Sequence, residues 1–490
     1  MRLNLQTSHI RNEITALAGK PWMQYVWLFI ITLFAAAMRF YRLGEWSFWI
    51  DEIFTINHAV SHFSTTELLL KNIPPSRNWI PLSVILDAQM LKLNGINELS
   101  ARLAPAIIGI LTIPILYFPT RKIFGPRIAL ISLLLLAVSS WHLFWSQNAR
   151  FYTSLMLLYT LALFAFYFGI EEDEPRYLFV FFLLVYLAAS ERLSALFIFP
   201  VVVMYLAILW ILRFDKPKGM NFRNLLIITL PLLIGGIIEL YNRMMNGESR
   251  FFADFNWFLQ YRVDDPFRLL VFVGNNIGIP LMVMTLFSGL FLLRVRSRPG
   301  LLMFVSATVP LLILLLANLL IFTKDRYIFI TLFSWIILAI VGIDNIASRL
   351  QANYRWLAAG VFFVFFAYAF NDVLLYYQAN YGNRLPWKSA FSTVERRSRE
   401  HDVIVAFWPA FHPIYADQPI IAYEDVDLED MLASDERYWF VLDSETIWTN
   451  AKAKIWLESN AELIEVWYLR RPENNFLRVY LFDPARNPDP

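Results

Sequence analysis

Residues 24–52 read QYVWLFIITLFAAAMRFYRLGEWSFWIDE, an apolar run that passes into an aromatic segment and ends in two adjacent carboxylates. A helix rises about 1.5 Å per residue, so the apolar part, residues 24–43, can cross a hydrocarbon core of about 30 Å. Tryptophan is typical of the boundary between lipid and water. The stretch therefore predicts a first membrane span that places Asp51 and Glu52 at one membrane face.

The composition of the whole chain also indicates that its solvent is a lipid bilayer. Of the 490 residues, 58% are hydrophobic and 17% are aromatic, and the mean hydropathy is +0.49, which differs from ordinary soluble proteins. The net charge of +2 gives no support for a nucleic-acid partner. The absence of cysteine excludes disulfides, thiolate metal sites and thiol nucleophiles.

Eleven segments are apolar enough to be candidate spans. They are 24–43, 103–120, 128–145, 150–170, 177–190, 194–213, 224–241, 269–293, 301–322, 328–345 and 356–377. Only residues 190–192 separate the fifth from the sixth, so this pair could instead be one broken helix. The polar residues 1–23 and the run after them resemble a secretory signal, but the run continues beyond its small residues, so we expect it to be retained.

The distribution of arginine and lysine predicts the orientation. Four connecting segments on the side of the N-terminus contain Arg121, Lys122, Arg127, Arg213, Lys216, Lys218, Arg223, Arg294, Arg296, Arg298, Arg349 and Arg355. The positive-inside rule makes that side cytoplasmic. We therefore expect a cytoplasmic N-terminus at 1–23, a transmembrane domain at 24–377 with an outward loop at 44–100, and an extracytoplasmic domain at 378–490, all in the cell membrane.

The segment after residue 378 has the composition of a small α+β domain. A charged helix is predicted at 387–401, and another near 446–458. Alternating or apolar stretches predict strands at 402–408, 437–443, 461–468 and 476–482.

Four cations lie at predicted span ends on the outward side, opposite to the basic loops: Arg150, Arg192, Lys324 and Arg326. Each alone could be an interfacial side chain whose charge reaches water. Together they could bind a lipid phosphate, because Arg presents a planar fork to phosphate oxygens and Lys presents a point charge.

The adjacent carboxylates have two explanations. Asp51 could be the N-cap of an interfacial helix that runs to about His62. Alternatively, it could serve chemistry, because moving a sugar from a polyprenyl phosphate needs one base for the acceptor and cations for the departing phosphate. His58 and His62 lie one helical turn apart, a spacing that suits a metal, but a polar helix face explains them equally. No nucleotide-binding fingerprint is present, so the sequence requires no cofactor, although a divalent metal stays open.

Four stretches occur in a specific order along the chain. They are RFYRLGEWSFWIDE at 39–52, ARLAPAIIGILTIPILYFPTRKIFGP at 101–126, SQNARFY at 146–152 and DRY at 325–327. Together they resemble the multispanning lipid-linked glycosyltransferases of the GT-C class, in the branch that contains the protein O-mannosyltransferases and the aminoarabinose transferases of lipid A.

The resemblance implies roles for individual residues. Asp51 corresponds to the catalytic base, with Glu52 beside it, and Arg150 and Arg326 correspond to ligands of the lipid phosphate. Lys324 and Arg192 complete the expected donor site, and three further residues are expected on the acceptor side: Trp49, Arg77 and Tyr152.

Two departures from the family pattern concern the acceptor more than the reaction. Many relatives read HPPLYY in the first outward loop, where this chain has Ile73 to Asn78 without the histidine. Relatives often have Glu where this chain has Asn148.

The sequence thus predicts an inverting hexosyl- or pentosyltransferase with a GT-C-like fold. Its expected partners are a polyprenyl-phosphate-linked sugar donor, a protein, lipid or glycan acceptor, and the bilayer. The alternative is a polytopic lipid or glycan transporter or flippase, which should show inverted repeats and broken helices in matching positions; no such symmetry is evident in the sequence. A non-catalytic receptor would leave the facing carboxylates and cations unexplained.

Overall fold

The computed structural model describes residues 21–60, 81–246, 267–321, 323–351, 355–379, 381–412, 414–427, 431, 435–444, 451–469 and 475–486. Two residues named above, His62 and Arg77, lie outside these described residues, as does the departure at residues 73–78.

The described chain is mostly helical. Its α-helices are α1 Met23–Phe40, α2 Ile50–Val60, α3 Leu82–Asn94, α4 Glu98–Phe124, α5 Pro126–Ala137, α6 Ser140–Ser146, α7 Tyr152–Glu171, α8 Pro175–Glu191, α9 Ile198–Ile211, α10 Phe222–Asn246, α11 Arg268–Ile277, α12 Ile279–Arg294, α13 Arg298–Asn318, α14 Leu332–Arg349, α15 Arg355–Gln378, α16 Trp387–Arg397 and α17 Ala451–Asn460. Short 3₁₀ segments, Leu193–Phe197 and Asp325–Thr331, precede α9 and α14.

Helices occur at all eleven predicted spans, but the count of eleven is not confirmed. Within the described residues, seven helices are long and apolar enough to cross a membrane, or nine if each of two bent pairs is one span. α8 has 17 residues, which is about 25 Å and shorter than the hydrocarbon core. The possible single helix across residues 190–192 is interrupted, because Arg192 is extended.

Two predicted spans are broken for local reasons. The third divides into α5 and α6, bent by 64°, and the eighth into α11 and α12, bent by 94°. The Ser139 hydroxyl accepts a hydrogen bond from the His142 amide at 3.3 Å and so starts α6 as a new helix. Gly278 has a φ of 96°, which side-chain-bearing residues rarely adopt, and Pro280 follows in the first turn of α12.

The C-terminal segment contains a small sheet, as predicted. Its strands are β1 Val403–Ala406, β2 Ile420–Ala422, β3 Tyr438–Asp443, β4 Glu462–Tyr468 and β5 Phe476–Phe482. The spatial order is β2-β1-β3-β5-β4; β1 is parallel to both neighbours, whereas β5 is antiparallel to β3 and β4. The three-residue β2 was not predicted, because it is too short for a periodic pattern.

The sheet segment shares a hydrophobic core with the loop that follows α1. Phe48 and Ile53 belong to the same buried cluster as Trp387, Phe411 and Leu477. α2 and α3 also contribute Ile56, Ala59, Val84, Ala88 and Leu91 to this cluster. Because α2 carries Asp51, the position of that carboxylate depends on packing against the C-terminal segment.

Candidate active site

Asp51 lies against two arginines from distant parts of the chain. Its Oδ2 atom is 2.7 Å from Nη1 of Arg326 and 3.8 Å from Nη2 of Arg150. Arg150 Nη1 also donates to the Asp51 carbonyl at 2.9 Å and to Thr55 Oγ1 at 2.8 Å. The side chain of Asp51 keeps 22% of its surface exposed. The structure therefore joins three of the predicted site residues at one partly open point.

Asp51 is not the helix cap that the sequence suggested as one explanation. α2 begins at Ile50, so Asp51 is its second residue. The capping contact is made by Glu52 instead, whose Oε2 accepts a hydrogen bond from the Trp49 amide at 3.3 Å. A glutamate in this position satisfies an otherwise unpaired amide at the helix start. Asp51 is left with its carboxylate directed at the cations.

A third arginine lies beside this group. Arg192 follows α8, and its Nη2 donates to the Tyr327 hydroxyl at 2.9 Å. Arg150, Arg192 and Arg326 are all close enough to act electrostatically on Tyr152. The Tyr152 hydroxyl is buried and forms no hydrogen bond within the described part of the chain. The described residues thus contain three converging guanidinium groups beside one unused hydroxyl, a surface that suits an anion.

Glu52 has surroundings very different from those of Asp51. It is fully buried, with its Oε1 and Oε2 each 2.8 Å from the Arg102 guanidinium. The Ala149 amide donates to Oε1 at 2.9 Å, and Arg384 Nε lies 3.5 Å from Oε2. Burial would raise the pKa of Glu52, but the two arginines and these hydrogen bonds hold the pKa below its usual value. Glu52 is thus a fixed anion that an acceptor cannot contact in this arrangement.

The sequence analysis did not identify Arg102 and Arg384 as site residues. Arg102 is fully buried and donates to the carbonyls of Trp46 at 2.7 Å and Ser47 at 2.9 Å, so it holds the loop before Asp51. An arginine within an apolar helix was an available signal. Arg384 donates to the Gln147 carbonyl at 2.5 Å. No sequence pattern marks Arg384, because its partners are remote along the chain.

The C-terminal segment also contacts the loop before Asp51 through Tyr415. The Phe48 amide donates to the Tyr415 hydroxyl at 2.6 Å, and that hydroxyl donates to Glu98 Oε1 at 3.0 Å. The Lys388 amide donates to Ser47 Oγ at 3.0 Å. Three connections, through Arg384, Lys388 and Tyr415, therefore link the segment after residue 378 to the candidate site.

The other predicted site residues are placed as follows. Trp49 donates from Nε1 to Asn148 Oδ1 at 3.1 Å, and its ring lies 5.9 Å from the Arg326 guanidinium carbon. Asn148, where relatives often have Glu, thus accepts a hydrogen bond from the aromatic loop. Lys324 is exposed at the start of its 3₁₀ segment.

Of the two weak metal candidates, one lies within the described residues. His58 lies in α2, whereas His62 is outside the described residues. Across the residues that the structure describes, no three His, Asp or Glu side chains are grouped closely enough to hold a metal ion.

A buried carboxyl that sequence reasoning missed lies next to Arg150. Asp87 is 2% exposed, and neither of its oxygens has a hydrogen-bond partner in the described chain. It lines a small cavity with Ser83, Arg150 and Ser154. Burial raises the pKa of Asp87 well above its usual value, with contributions from nearby carboxylates, against an opposing effect of Arg150. Such a group favours its neutral form.

Asp87→Asn is expected to stabilise the protein near neutral pH, by about 2 °C or more in Tm. The raised pKa means that the folded state binds the Asp87 proton more tightly than the unfolded state does. The stabilisation that the protonated Asp87 carboxyl gives to the folded state is therefore present at low pH. It is lost as the pH rises towards the folded-state pKa of Asp87. Thermal unfolding in detergent at about pH 5 and about pH 7.5 measures this, with the exposed Asp435→Asn as control. If the Tm of wild type and the Tm of Asp87→Asn changed equally between these two pH values, the prediction would be contradicted.

Comparisons with known proteins agree with this fold. The profile of the dolichyl-phosphate-mannose-protein mannosyltransferase family matches residues 78–234. ArnT from Cupriavidus metallidurans in the apo state aligns with a TM-score of 0.55 and 16% identity, covering 93% of this chain and 98% of that chain. ArnT from Cupriavidus metallidurans bound to undecaprenyl phosphate aligns with a TM-score of 0.57 and 15% identity. This alignment covers 94% of this chain and 98% of that chain.

A more distant enzyme has the same architecture. The oligosaccharyltransferase of Archaeoglobus fulgidus, tethered with an acceptor peptide, aligns with a TM-score of 0.53 and 12% identity, covering 83% of this chain and 64% of that chain. No curated protein sequence matches significantly. The chain is therefore a multi-pass integral membrane protein with the fold of the GT-C lipid-linked glycosyltransferases, and it resembles the branch of the ArnT and protein mannosyltransferase enzymes.

Proposed function

We propose that this protein is a glycosyltransferase that moves a sugar from a polyprenyl-phosphate donor to a hydroxyl or phosphate of a protein, lipid or glycan acceptor. The observation that carries the proposal is the partly exposed Asp51 carboxylate within contact distance of Arg326 and Arg150. A base and phosphate-binding cations are the two elements that this reaction needs. Binding of undecaprenyl phosphate by ArnT, which has the same fold, supports a donor of this class.

In the proposed reaction, Arg150, Arg192 and Arg326 bind the carrier phosphate, with Lys324 at the edge of the site. Asp51 takes the proton from the acceptor oxygen, which attacks the anomeric carbon of the sugar. The bond between that carbon and the phosphate oxygen breaks, and the carrier phosphate leaves with the electron pair. The arginines stabilise the charge that develops on the phosphate. A single displacement of this kind inverts the anomeric configuration.

Glu52 has a positioning role in this proposal. Its carboxylate joins the Trp49 amide, at the start of α2, to the Ala149 amide, next to Arg150. The same carboxylate therefore sets the distance between the segment of the base and the segment of a phosphate ligand. Trp49, whose ring lies 5.9 Å from the Arg326 guanidinium carbon, and Tyr152, beside the three arginines, are proposed to serve the acceptor side of the site.

The decisive experiment is incubation of the purified protein with radiolabelled polyprenyl-phosphate sugars and candidate acceptors. Label in the acceptor supports the proposal. The transporter alternative has one structural observation in its favour, the two bent helix pairs. In proteoliposomes, movement of labelled donor between leaflets without transfer to any acceptor would favour that alternative and contradict the proposal.

We further propose that the site faces away from the cytoplasm, as the basic loops predict. Ser392→Cys in α16 should react with a membrane-impermeant maleimide added outside intact cells, because this residue is exposed in the C-terminal segment. Ser348→Cys, an exposed residue near the basic end of α14, should react only after the membrane is opened. The chain has no native cysteine to interfere. If Ser348→Cys reacted in intact cells and Ser392→Cys reacted only after the membrane was opened, the protein would have the opposite orientation and the proposal would be wrong.

A further inference from the structure

The arginines proposed to bind the donor are already in contact with a carboxylate. Arg326 Nη1 is 2.7 Å from Asp51 Oδ2, and Arg150 makes contacts with both the carboxylate and the carbonyl of Asp51. The exposed fractions of these two arginine side chains are only 16% and 13%. A phosphate that binds the same guanidinium groups must therefore compete with Asp51 or lie directly beside it.

The other carboxylates near these cations form no ion pair with Arg150 or Arg326 in the described chain. Asp87 shares a small cavity with Arg150 but has no hydrogen bond to it. Asp325 precedes Arg326 in the chain, but its Oδ2 accepts a hydrogen bond from Asn276 Nδ2. Glu52 is held by Arg102 and Arg384. Within the described residues, Asp51 is therefore the carboxylate that directly meets the guanidinium groups of Arg150 and Arg326.

Donor and product phosphates differ in charge. A sugar-linked carrier phosphate is a phosphodiester with one negative charge, whereas the carrier phosphate released by transfer is a monoester. A phosphomonoester has a second pKa near 6, so it carries close to two negative charges at neutral pH. Repulsion by a fixed carboxylate grows with the charge of the phosphate. Asp51 should therefore act against the product more strongly than against the donor.

We infer that Asp51 has a second role: its carboxylate competes with the carrier phosphate for Arg150 and Arg326, and disfavours the monoester product relative to the diester donor. The inference rests on the proposed function, because it takes these arginines as phosphate ligands. After transfer Asp51 carries the acceptor proton. Once it has passed that proton to solvent, its carboxylate again repels the monoester, which makes the base a determinant of product release. The competition also means that donor binding separates Asp51 from Arg326 and frees its carboxylate for the acceptor proton.

The test measures binding and needs no transfer. Undecaprenyl phosphate serves as the monoester probe, and its methyl ester, which carries no sugar, serves as the diester probe. Both are titrated into purified full-length wild type and Asp51→Asn. We expect Asp51→Asn to bind undecaprenyl phosphate more tightly, by up to about fivefold, which is the upper end of the range for an exposed ion pair. The increase in affinity of Asp51→Asn for the methyl ester should be smaller.

Glu45→Gln is the matched control, because Glu45 lies in the same outward loop but pairs with Arg42. The affinity of the Glu45→Gln variant for each probe should equal that of wild type. Asp51→Ala provides a second removal of the charge if Asp51→Asn is poorly folded. Unchanged or weaker binding of undecaprenyl phosphate in the Asp51 variants, or an equal gain for both probes, would overturn the inference.

The proposed function fails in a different way. If Arg326→Ala and Arg150→Ala bind undecaprenyl phosphate as tightly as wild type, the phosphate site itself is wrong, and the inference falls with it. If the arginine variants lose affinity while Asp51→Asn does not gain it, the proposed function stands and only the second role of Asp51 is rejected.

Discussion

Replacing Asp51 with Asn is expected to lower the rate of sugar transfer at saturating donor and acceptor by about a hundredfold to ten-thousandfold. The amide cannot take the acceptor proton, but it has nearly the same size as the carboxylate. Because Glu52 rather than Asp51 makes the capping contact of α2, the helix should persist. The measurement is kcat with a radiolabelled polyprenyl-phosphate sugar.

The control for this variant is again Glu45→Gln, which removes one carboxylate from the same loop and should retain wild-type turnover. Elution as a single species and an unchanged Tm would establish that Asp51→Asn is folded. If Asp51→Asn keeps more than about a tenth of wild-type kcat, a smaller loss than removal of a general base produces, Asp51 is not the base.

Replacing Arg326 with Ala is expected to raise the donor KM by about tenfold to a hundredfold, since a hydrogen bond to a charged group contributes about 1.5–3 kcal/mol. Arg326→Lys should recover only part of the loss, because an ammonium group cannot reproduce the planar fork. Titration with donor at fixed acceptor measures the change. The acceptor KM should change much less than the donor KM.

Arg268→Ala is the matched control for Arg326→Ala. Arg268 is an exposed cation at the start of α11, and its guanidinium lies over the Phe272 ring, 5.2 Å from the ring centre. Its loss removes the same charge without touching the candidate site. Equal donor KM values for the two variants would show that Arg326 contributes only general charge and not a specific contact.

Helix positions and the cations at their ends could be predicted because they depend on local sequence. Long apolar runs predict helices wherever lipid is the solvent, and a cation at a run's end stands out against its apolar neighbours. Arg150, Arg192 and Arg326 were found in this way. The bends were not predicted, because they leave the apolar character of the segment unchanged. Ser139 caps a new helix and Gly278 adopts a positive φ, so each ends the backbone hydrogen-bond pattern of a helix inside an apolar run.

The separate environments of Asp51 and Glu52 could not be predicted, although the two residues are adjacent. Successive residues of a helix point in directions about 100° apart, so one carboxylate reaches Arg326 while the other turns towards Arg102. The partner of each depends on which distant helix lies on that side. Arg384 illustrates the same limit, because only the folded chain brings it to Gln147 and Glu52.

The three connections between the C-terminal segment and the loop before Asp51 have a consequence for biosynthesis. A ribosome makes Asp51, Arg102 and Arg150 long before it makes Arg384 and Tyr415. Glu52 can pair with Arg102 as soon as the first helices assemble, but Gln147 and Phe48 must wait for their last partners. A nascent chain therefore inserts its membrane helices while the site is unfinished, and a prematurely terminated chain should be inactive even when its helices are correctly inserted.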